Sequence, residues 1–254
     1  VHTILEENDS LLWVGTENGL NLLNTATQQF TNVFSTETYK KLKVNVWSLA
    51  KDSIGNLLIG TDRALYKLNP KTFNIKKIDL RIKDERENIN IRKILISNQN
   101  QVFIATEGKG LILYNPETEL IDFLNRSNTL LKSDVIWDIH QDSDGRIAIA
   151  TDLGVNFYYP KKNRIESIKI LDATIGKSSV KTIFEDKSGI VWIGTDNNGL
   201  FRLKSLSNID HYKYDANKSN SLNSNNINTI FEDEFGIIWI GTQTGLNKFD
   251  RQKQ

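Results

Sequence analysis

The chain predicts an all-β fold, a β-propeller of six visible four-stranded blades whose last blade lacks its fourth strand, and three observations lead there. The stretch Ile190-Val-Trp-Ile-Gly-Thr-Asp-Asn-Asn-Gly-Leu200 recurs. Aligned on the small residue before a shared threonine, its copies fall at Gly15, Gly60, Ala105, Ala150, Gly194 and Gly241, in steps of 45, 45, 45, 44 and 47 residues. A regular period of roughly 40–50 residues marks propellers or solenoids. Each copy also reads as an apolar run, a short polar turn and a second apolar segment, as in Gly19-Leu20 or Gly245-Leu246. Finally, the strands are apolar on nearly every residue instead of alternating, which suits a sheet shielded on both faces. The 3.6-residue periodicity of a helical solenoid is not seen.

Upstream of each small residue the frame continues in phase. Eight residues before it stand Asp52, Asp142, Asp186 and Asp233, and five before it Gly55, Gly145, Gly189 and Gly236; the first copy has Glu7 and Ser10 there, and the third Ser97 and Asn100. An aspartate that accepts backbone N–H groups, followed by a glycine free to take positive φ, closes a hairpin. Further back lies a first strand, at 46–49, 180–184 and 227–231. After the third strand a looser segment, such as Phe73-Asn-Ile-Lys-Lys-Ile78 or Ile165-Glu-Ser-Ile-Lys-Ile170, predicts a fourth. The units are 1–43, 44–88, 89–133, 134–177, 178–224 and 225–254, tiling one domain of four-stranded meanders.

Composition narrows the function classes. With 39% hydrophobic and 25% charged residues and a net charge of +1, the 254-residue chain has the make-up of a soluble globular protein. No global field or basic stripe points to nucleic acid. The absence of cysteine removes disulfides, thiolate nucleophiles and Cys-based metal sites. No run of 18 or more apolar residues and no signal-peptide pattern is present. The opening on a strand without methionine and the close on a third strand predict a fragment of a longer protein. Two arrangements follow: six units closing on themselves with a three-stranded blade, which is favoured, or an arc of a larger ring.

The pattern Ser221-Leu-Asn-Ser-Asn-Asn-Ile-Asn-Thr-Ile-Phe-Glu-Asp233, followed by Gly236-Ile-Ile-Trp-Ile-Gly-Thr-Gln-Thr-Gly-Leu246, resembles the two-component regulator propeller repeat. So does Asp186-Lys-Ser-Gly-Ile-Val-Trp-Ile-Gly-Thr-Asp-Asn-Asn-Gly-Leu200. Copies two to four depart from it, lacking the Trp, and two of them carry Ala105 and Ala150 for Gly. What the resemblance implies is the extracytoplasmic sensor region, periplasmic or on the cell surface, of a membrane-anchored bacterial receptor. Such a region detects a ligand, often a carbohydrate breakdown product, and passes the signal to a cytoplasmic kinase, regulator or cyclase. The partners so implied are an oligosaccharide or other small molecule, further domains of the same receptor and a second copy, with membrane contact only through segments absent here.

Positions that vary within a steady frame are candidates for recognition. Thirteen residues before the small residue stand His2, Trp47, Arg92, Trp137, Lys181 and Asn228, expected as one ring near the mouth of an axial funnel. Such side chains hold polar, ring-shaped ligands by stacking and hydrogen bonding; the competing explanation is that each merely fits between neighbouring blades. A second layer is the start of the same strand, Asn45, Asn90, Asp134, Ser179 and Asn226, where strand-entry turns also favour these residues. After the threonine come Glu17, Asp62, Glu107, Asp152, Asp196 and Gln243, expected to cap the following turn. The 211–226 segment and the charged Asp84-Glu-Arg-Glu-Asn88 are expected as connections between units.

Catalysis is not expected. His2, His140 and His211 fall in different units without ligand spacing, and Asp142-Ser-Asp-Gly145 lacks the downstream Glu of a calcium loop. No nucleophile elbow or phosphate loop occurs. Neither metal nor cofactor is expected. The expected function is a non-catalytic ligand-sensing propeller, with a structural interaction module and a carbohydrate-active enzyme as the alternatives.

Overall fold

The computed structural model describes residues 1–35, 44–81, 88–205 and 208–251. The charged connection at 84–88 lies outside them except for Asn88. Secondary structure is almost entirely antiparallel strand. The first sheet holds β1 (Thr3–Asn8), β2 (Leu11–Thr16), β3 (Gly19–Asn24) and β4 (Gln29–Asn32); the second β5 (Val46–Lys51), β6 (Leu57–Thr61), β7 (Leu65–Leu68) and β8 (Ile75–Ile78). The third is built from β9 (Ile91–Ile96), β10 (Val102–Thr106), β11 (Leu111–Tyr114) and β12 (Ile121–Leu124), and the fourth from β13 (Ile136–Gln141), β14 (Ile147–Thr151), β15 (Gly154–Tyr159) and β16 (Arg164–Glu166). The fifth holds β17 (Val180–Glu185), β18 (Val191–Thr195), β19 (Leu200–Ser205) and β20 (Asn208–Tyr212), and the sixth only β21 (Ile227–Glu232), β22 (Ile238–Thr242) and β23 (Gly245–Phe249). This is the six-bladed β-propeller fold, each sheet a meander in chain order. Contacts gather into two units, 1–123 and 124–254.

Two expectations need correction. The fourth strand of blade four ends at Glu166, and 169–175 form the helix α1 (Lys169–Ile175). Its Leu171 and Ile175 are buried against Val155, Phe157 and Val180, so burial of an apolar helix face replaces further strand pairing. His211 and Tyr212 belong to β20, leaving 213–226 as the connection. That connection is tied by Tyr214 N to Asn225 Oδ1 at 2.8 Å and Asp215 N to Ser221 Oγ at 3.0 Å.

Burial follows the predicted logic. All five residues of β6, β10 and β14 are buried, whereas the outer β4 is exposed throughout. Within each unit the apolar clusters span neighbouring blades: Leu20 with Val46 and Leu49, Leu65 with Ile91 and Ile94, Leu200 with Ile227 and Ile230. The small residue in the frame is a consequence. A Cβ on Gly60 would stand 2.6 Å from Ile91 Cγ2, and one on Gly194 2.6 Å from Ile227 Cγ2, so the next blade packs onto bare backbone.

The hairpin aspartates behave as expected and do more besides. Asp52, Asp142, Asp186 and Asp233 each accept backbone N–H groups through Oδ1, and Gly189 takes φ 76 to turn the chain. The second carboxylate oxygen finds a side-chain partner six residues on: Trp192 Nε1 donates to Asp186 at 2.7 Å, Trp239 Nε1 to Asp233 at 2.8 Å, and Trp13 Nε1 to Glu7 at 2.6 Å. Where the tryptophan is missing, Lys67 at 2.9 Å and Asn56 serve Asp52, and Arg146 Nε serves Asp142 at 2.7 Å.

Candidate functional site

The variable position is the extra residue of a β-bulge. In blade two Val46 pairs with Thr61 and Ser48 with Gly60, so Trp47 has no partner of its own across the ladder. The same slip isolates Arg92 between Ile91 and Lys93, Trp137 between Ile136 and Asp138, Lys181 between Val180 and Thr182, and Asn228 between Ile227 and Thr229. Bulges re-aim a side chain without breaking the strand. The flanking apolar residues stay buried while the bulged one is released from the packing constraint, which is why this position varies in an otherwise steady frame.

In the unit 1–123 His2, which lies just ahead of β1, and the bulged Trp47 and Arg92 stack on one another. The His2 and Trp47 rings lie 4.0 Å apart between centroids, and the Arg92 guanidinium sits 4.4 Å from the Trp47 centroid. Burial, then the nearby amino terminus, holds the His2 imidazole below its ordinary pKa. Arg92 pairs with Glu107, its Nε donating to Oε2 at 2.9 Å, and Asn90 Nδ2 donates to the same oxygen at 2.7 Å. Trp47 thus has a partner from each adjoining blade. Here the inter-blade explanation of the variable position describes the contacts.

In the unit 124–254 the arrangement is more open. Lys181 Nζ lies 3.5 Å from the Trp137 centroid and 3.7 Å from Asp196 Oδ2. A cavity of about 230 Å³ is lined by Lys181, Asp196, Asn226, Ile227, Asn228 and Gln243. Asn226 Nδ2 donates to Gln243 Oε1 at 2.6 Å, and Asn197 N donates to Asn226 Oδ1 at 2.7 Å, so one amide is oriented at both ends. One cation, one carboxylate and three carboxamides therefore share a small open hollow.

In blades two, three and six the strand-entry layer is a side-chain clamp within the blade. Asn45 donates its N and Nδ2 to Asp62 at 3.0 and 2.7 Å, Asn90 reaches Glu107, and Asn226 reaches Gln243. Asp196 N donates to Ser179 O at 2.8 Å. In blade four the equivalent place belongs to Val135, whose carbonyl accepts from Asp152 N; Asp134 instead accepts Arg126 N at 2.8 Å. The expectation that the residue after the threonine caps the turn is also corrected. The threonine does this itself, Thr16, Thr61, Thr106, Thr151, Thr195 and Thr242 each donating Oγ1 to a carbonyl three or four residues on. A hydroxyl both donates to that carbonyl and accepts a turn N–H, which a carboxylate cannot do. At 142–146, Arg146 occupies the carboxylates of Asp142 and Asp144.

The spacing of six from Glu7, Asp186 and Asp233 to Trp13, Trp192 and Trp239 is visible in the sequence and signals the acid–indole bonds.

Comparison with known proteins agrees with this geometry. No curated protein sequence matches the chain. Among solved structures, the extracellular domain of the putative one component system BT4673 from B. thetaiotaomicron is 22% identical, with a TM-score of 0.80 over 98% of this chain and 32% of its own. That of the putative hybrid two component system BT3049 from the same organism is 20% identical, TM-score 0.80, over 96% and 32%. PorZ, a bacterial surface component of the type-IX secretion system of Porphyromonas gingivalis, is 19% identical, TM-score 0.75, over 96% and 37%. The chain spans about a third of the length of these proteins. Residues 174–197 and 221–244, which include Trp192 and Trp239, match the model of the two component regulator propeller family.

Proposed function

We propose that this chain is a non-catalytic, ligand-sensing propeller segment of an extracytoplasmic bacterial receptor, and that its ligand is of carbohydrate type. The observation that carries this reading is the hollow around Lys181, Asp196, Asn226, Asn228 and Gln243. Carboxamides, a carboxylate and an ammonium group are the donors and acceptors that multiple hydroxyls require. Its 230 Å³ is below the roughly 300–1,000 Å³ of sites that enclose a drug-sized ligand, so it accommodates one ring of a longer chain. The repeat and the extracellular receptor domains of similar fold support the sensory role and the location. The frame carboxylates Asp52, Asp142, Asp186 and Asp233 are engaged by donors in the hairpins, which favours binding over acid–base chemistry.

Thermal-shift titration against a panel of neutral and acidic oligosaccharides tests the proposal. A rise in melting temperature with at least one glycan class is expected, lost in Lys181→Ala and Asn228→Ala, with no turnover of the glycan. Absence of any shift across the panel sinks the carbohydrate reading, and release of reducing ends makes the chain an enzyme. The stacked His2, Trp47 and Arg92 favour a second reading for the other unit, in which these residues serve blade packing alone.

A further inference from the structure

One set of repeat positions is filled differently in the two units. In the unit 1–123 the Trp47 ring is covered by Arg92, whose guanidinium carbon lies 4.4 Å from the ring centroid, and Glu107 fixes that cation through Nε at 2.9 Å. Asn90 donates to the same carboxylate oxygen at 2.7 Å, so amide, acid and cation form a closed latch. In the unit 124–254 the equivalent residues, counted from the small residue of each blade, are Trp137, Lys181, Asp196 and Ser179. Lys181 Nζ covers the Trp137 ring at 3.5 Å from its centroid, but Asp196 stands 3.7 Å from that nitrogen, beyond the roughly 2.7–3.2 Å of a hydrogen bond. Ser179 is too short to act as Asn90 does, and its buried Oγ has no hydrogen-bond partner among the described residues.

The two cations widen the difference. A guanidinium is a rigid fork that stacks flat on an indole and matches a carboxylate, whereas an ammonium is a compact charge on a flexible stem. Lys181 therefore leaves the ring by rotation about its own side-chain torsions, with no latch to break. The same lysine lines the hollow that holds Asp196, Asn228 and Gln243. It stands between that hollow and the Trp137 ring, and its withdrawal joins the two.

We propose that Trp137 is the stacking surface of the ligand site and Lys181 its releasable cover, displaced by the C–H face of a pyranose ring. This rests on the carbohydrate reading above and names the feature of the sugar that is recognised. The face of an indole carries negative charge density, and it accepts polarised C–H bonds as it accepts the ammonium group. Once released, Lys181 donates to ligand hydroxyls and Asp196 accepts from them. The unit 1–123, with its latch closed by Asn90 and Glu107, keeps Trp47 covered.

Oxidation of the tryptophans by N-bromosuccinimide, read site by site by peptide mass spectrometry, tests this with cellotetraose, mannotetraose and tetragalacturonate as probes. A probe that raises the melting temperature should slow oxidation of Trp137 several-fold and leave the fully buried Trp192 as it was. A variant that copies the closed latch, Ser179→Asn with Lys181→Arg and Asp196→Glu, should slow Trp137 oxidation without any sugar and bind that probe about tenfold more weakly. Trp137→Leu, checked for native circular dichroism, should weaken binding to a similar extent. A melting shift with Trp137 as reactive as before overturns the proposal and leaves the carbohydrate reading standing, as does undiminished affinity in the latched variant. Absence of a melting shift with all three probes removes the carbohydrate reading and this proposal with it.

Discussion

The acid–indole bond gives the hairpin aspartate a second task. Asp186 is fully buried, its Oδ2 held by Trp192 Nε1 at 2.7 Å and by Arg251 at 2.7 Å, while Arg251 also reaches Glu232 at 3.2 Å. Removing the indole donor with little loss of apolar bulk, as in Trp192→Phe, leaves one arm of that carboxylate to the guanidinium alone. A hydrogen bond to a charged group contributes about 1.5–3 kcal/mol, and urea titration should show a loss of that order or less, since Arg251 still holds the same oxygen. Trp239→Phe, at a half-buried site facing Asp233, should cost less; equal losses would mean that hydrogen bonding to the hairpin is not what the tryptophan contributes. Asp52 uses different donors for the same purpose. Burial alone would raise its pKa, but hydrogen bonds from Lys67 and Asn56 outweigh it and hold the carboxyl below its ordinary value. A carboxyl depressed in the folded state stabilises above its unfolded pKa, and that contribution fades as pH falls through the lower folded value. Asp52→Asn should therefore melt below the parent near neutral pH, with the gap closing below about pH 4. A constant gap across that range would count against the linkage.

At the scale of the element, the bulge and the small residue form one device. The bulge at Lys181 frees a side chain, and Gly194 opposite Thr182 lets Ile227 of the next blade close over the ladder. Gly194→Ala places a methyl 2.6 Å from Ile227 Cγ2 and 2.7 Å from Thr182 Cγ2. Overpacking of this kind costs roughly 1–3 kcal/mol. In a double-mutant cycle Ile227→Ala should recover part of it, and strict additivity of the two losses would show that the two residues do not share the junction. The periodicity was enough to read the strand order and the hairpins, because both rest on local residues: Asp186 and Gly189 close their turn within one copy. The bulge was not legible, since Trp47, Arg92 and Lys181 become the extra residue only through register with Thr61, Thr106 and Thr195. Nor was α1, whose Leu171 and Ile175 are decided by the apolar surface of blade four and not by a local pattern. Asp134 fell outside the strand-entry layer because the step into blade four sets Val135, not its neighbour, against Asp152.

For the molecule as a whole, a repeat architecture makes stability a matter of what each sheet's neighbours cover. The second strands differ in how far they are shielded; β6, β10 and β14 are buried at every residue. The corresponding β22 alternates between buried and half-buried, and β1 alternates between half-buried and exposed. Local opening exposes least new apolar surface where burial is already incomplete, so such segments open at lower free energy. Hydrogen exchange followed by peptide mass spectrometry should therefore rank β6, β10 and β14 slowest, β22 faster despite its near-identical Ile-Trp-Ile-Gly-Thr sequence, and β1 and β23 fastest among the inner three strands of any sheet. The comparison of β18 with β22 isolates the cause, because Val191-Trp-Ile-Gly-Thr195 and Ile238-Trp-Ile-Gly-Thr242 differ at one residue while Trp192 is fully buried and Trp239 is not. Equal protection in these two strands would place stability in the strand sequence and its own ladder, and remove neighbour shielding as the organising force of the fold.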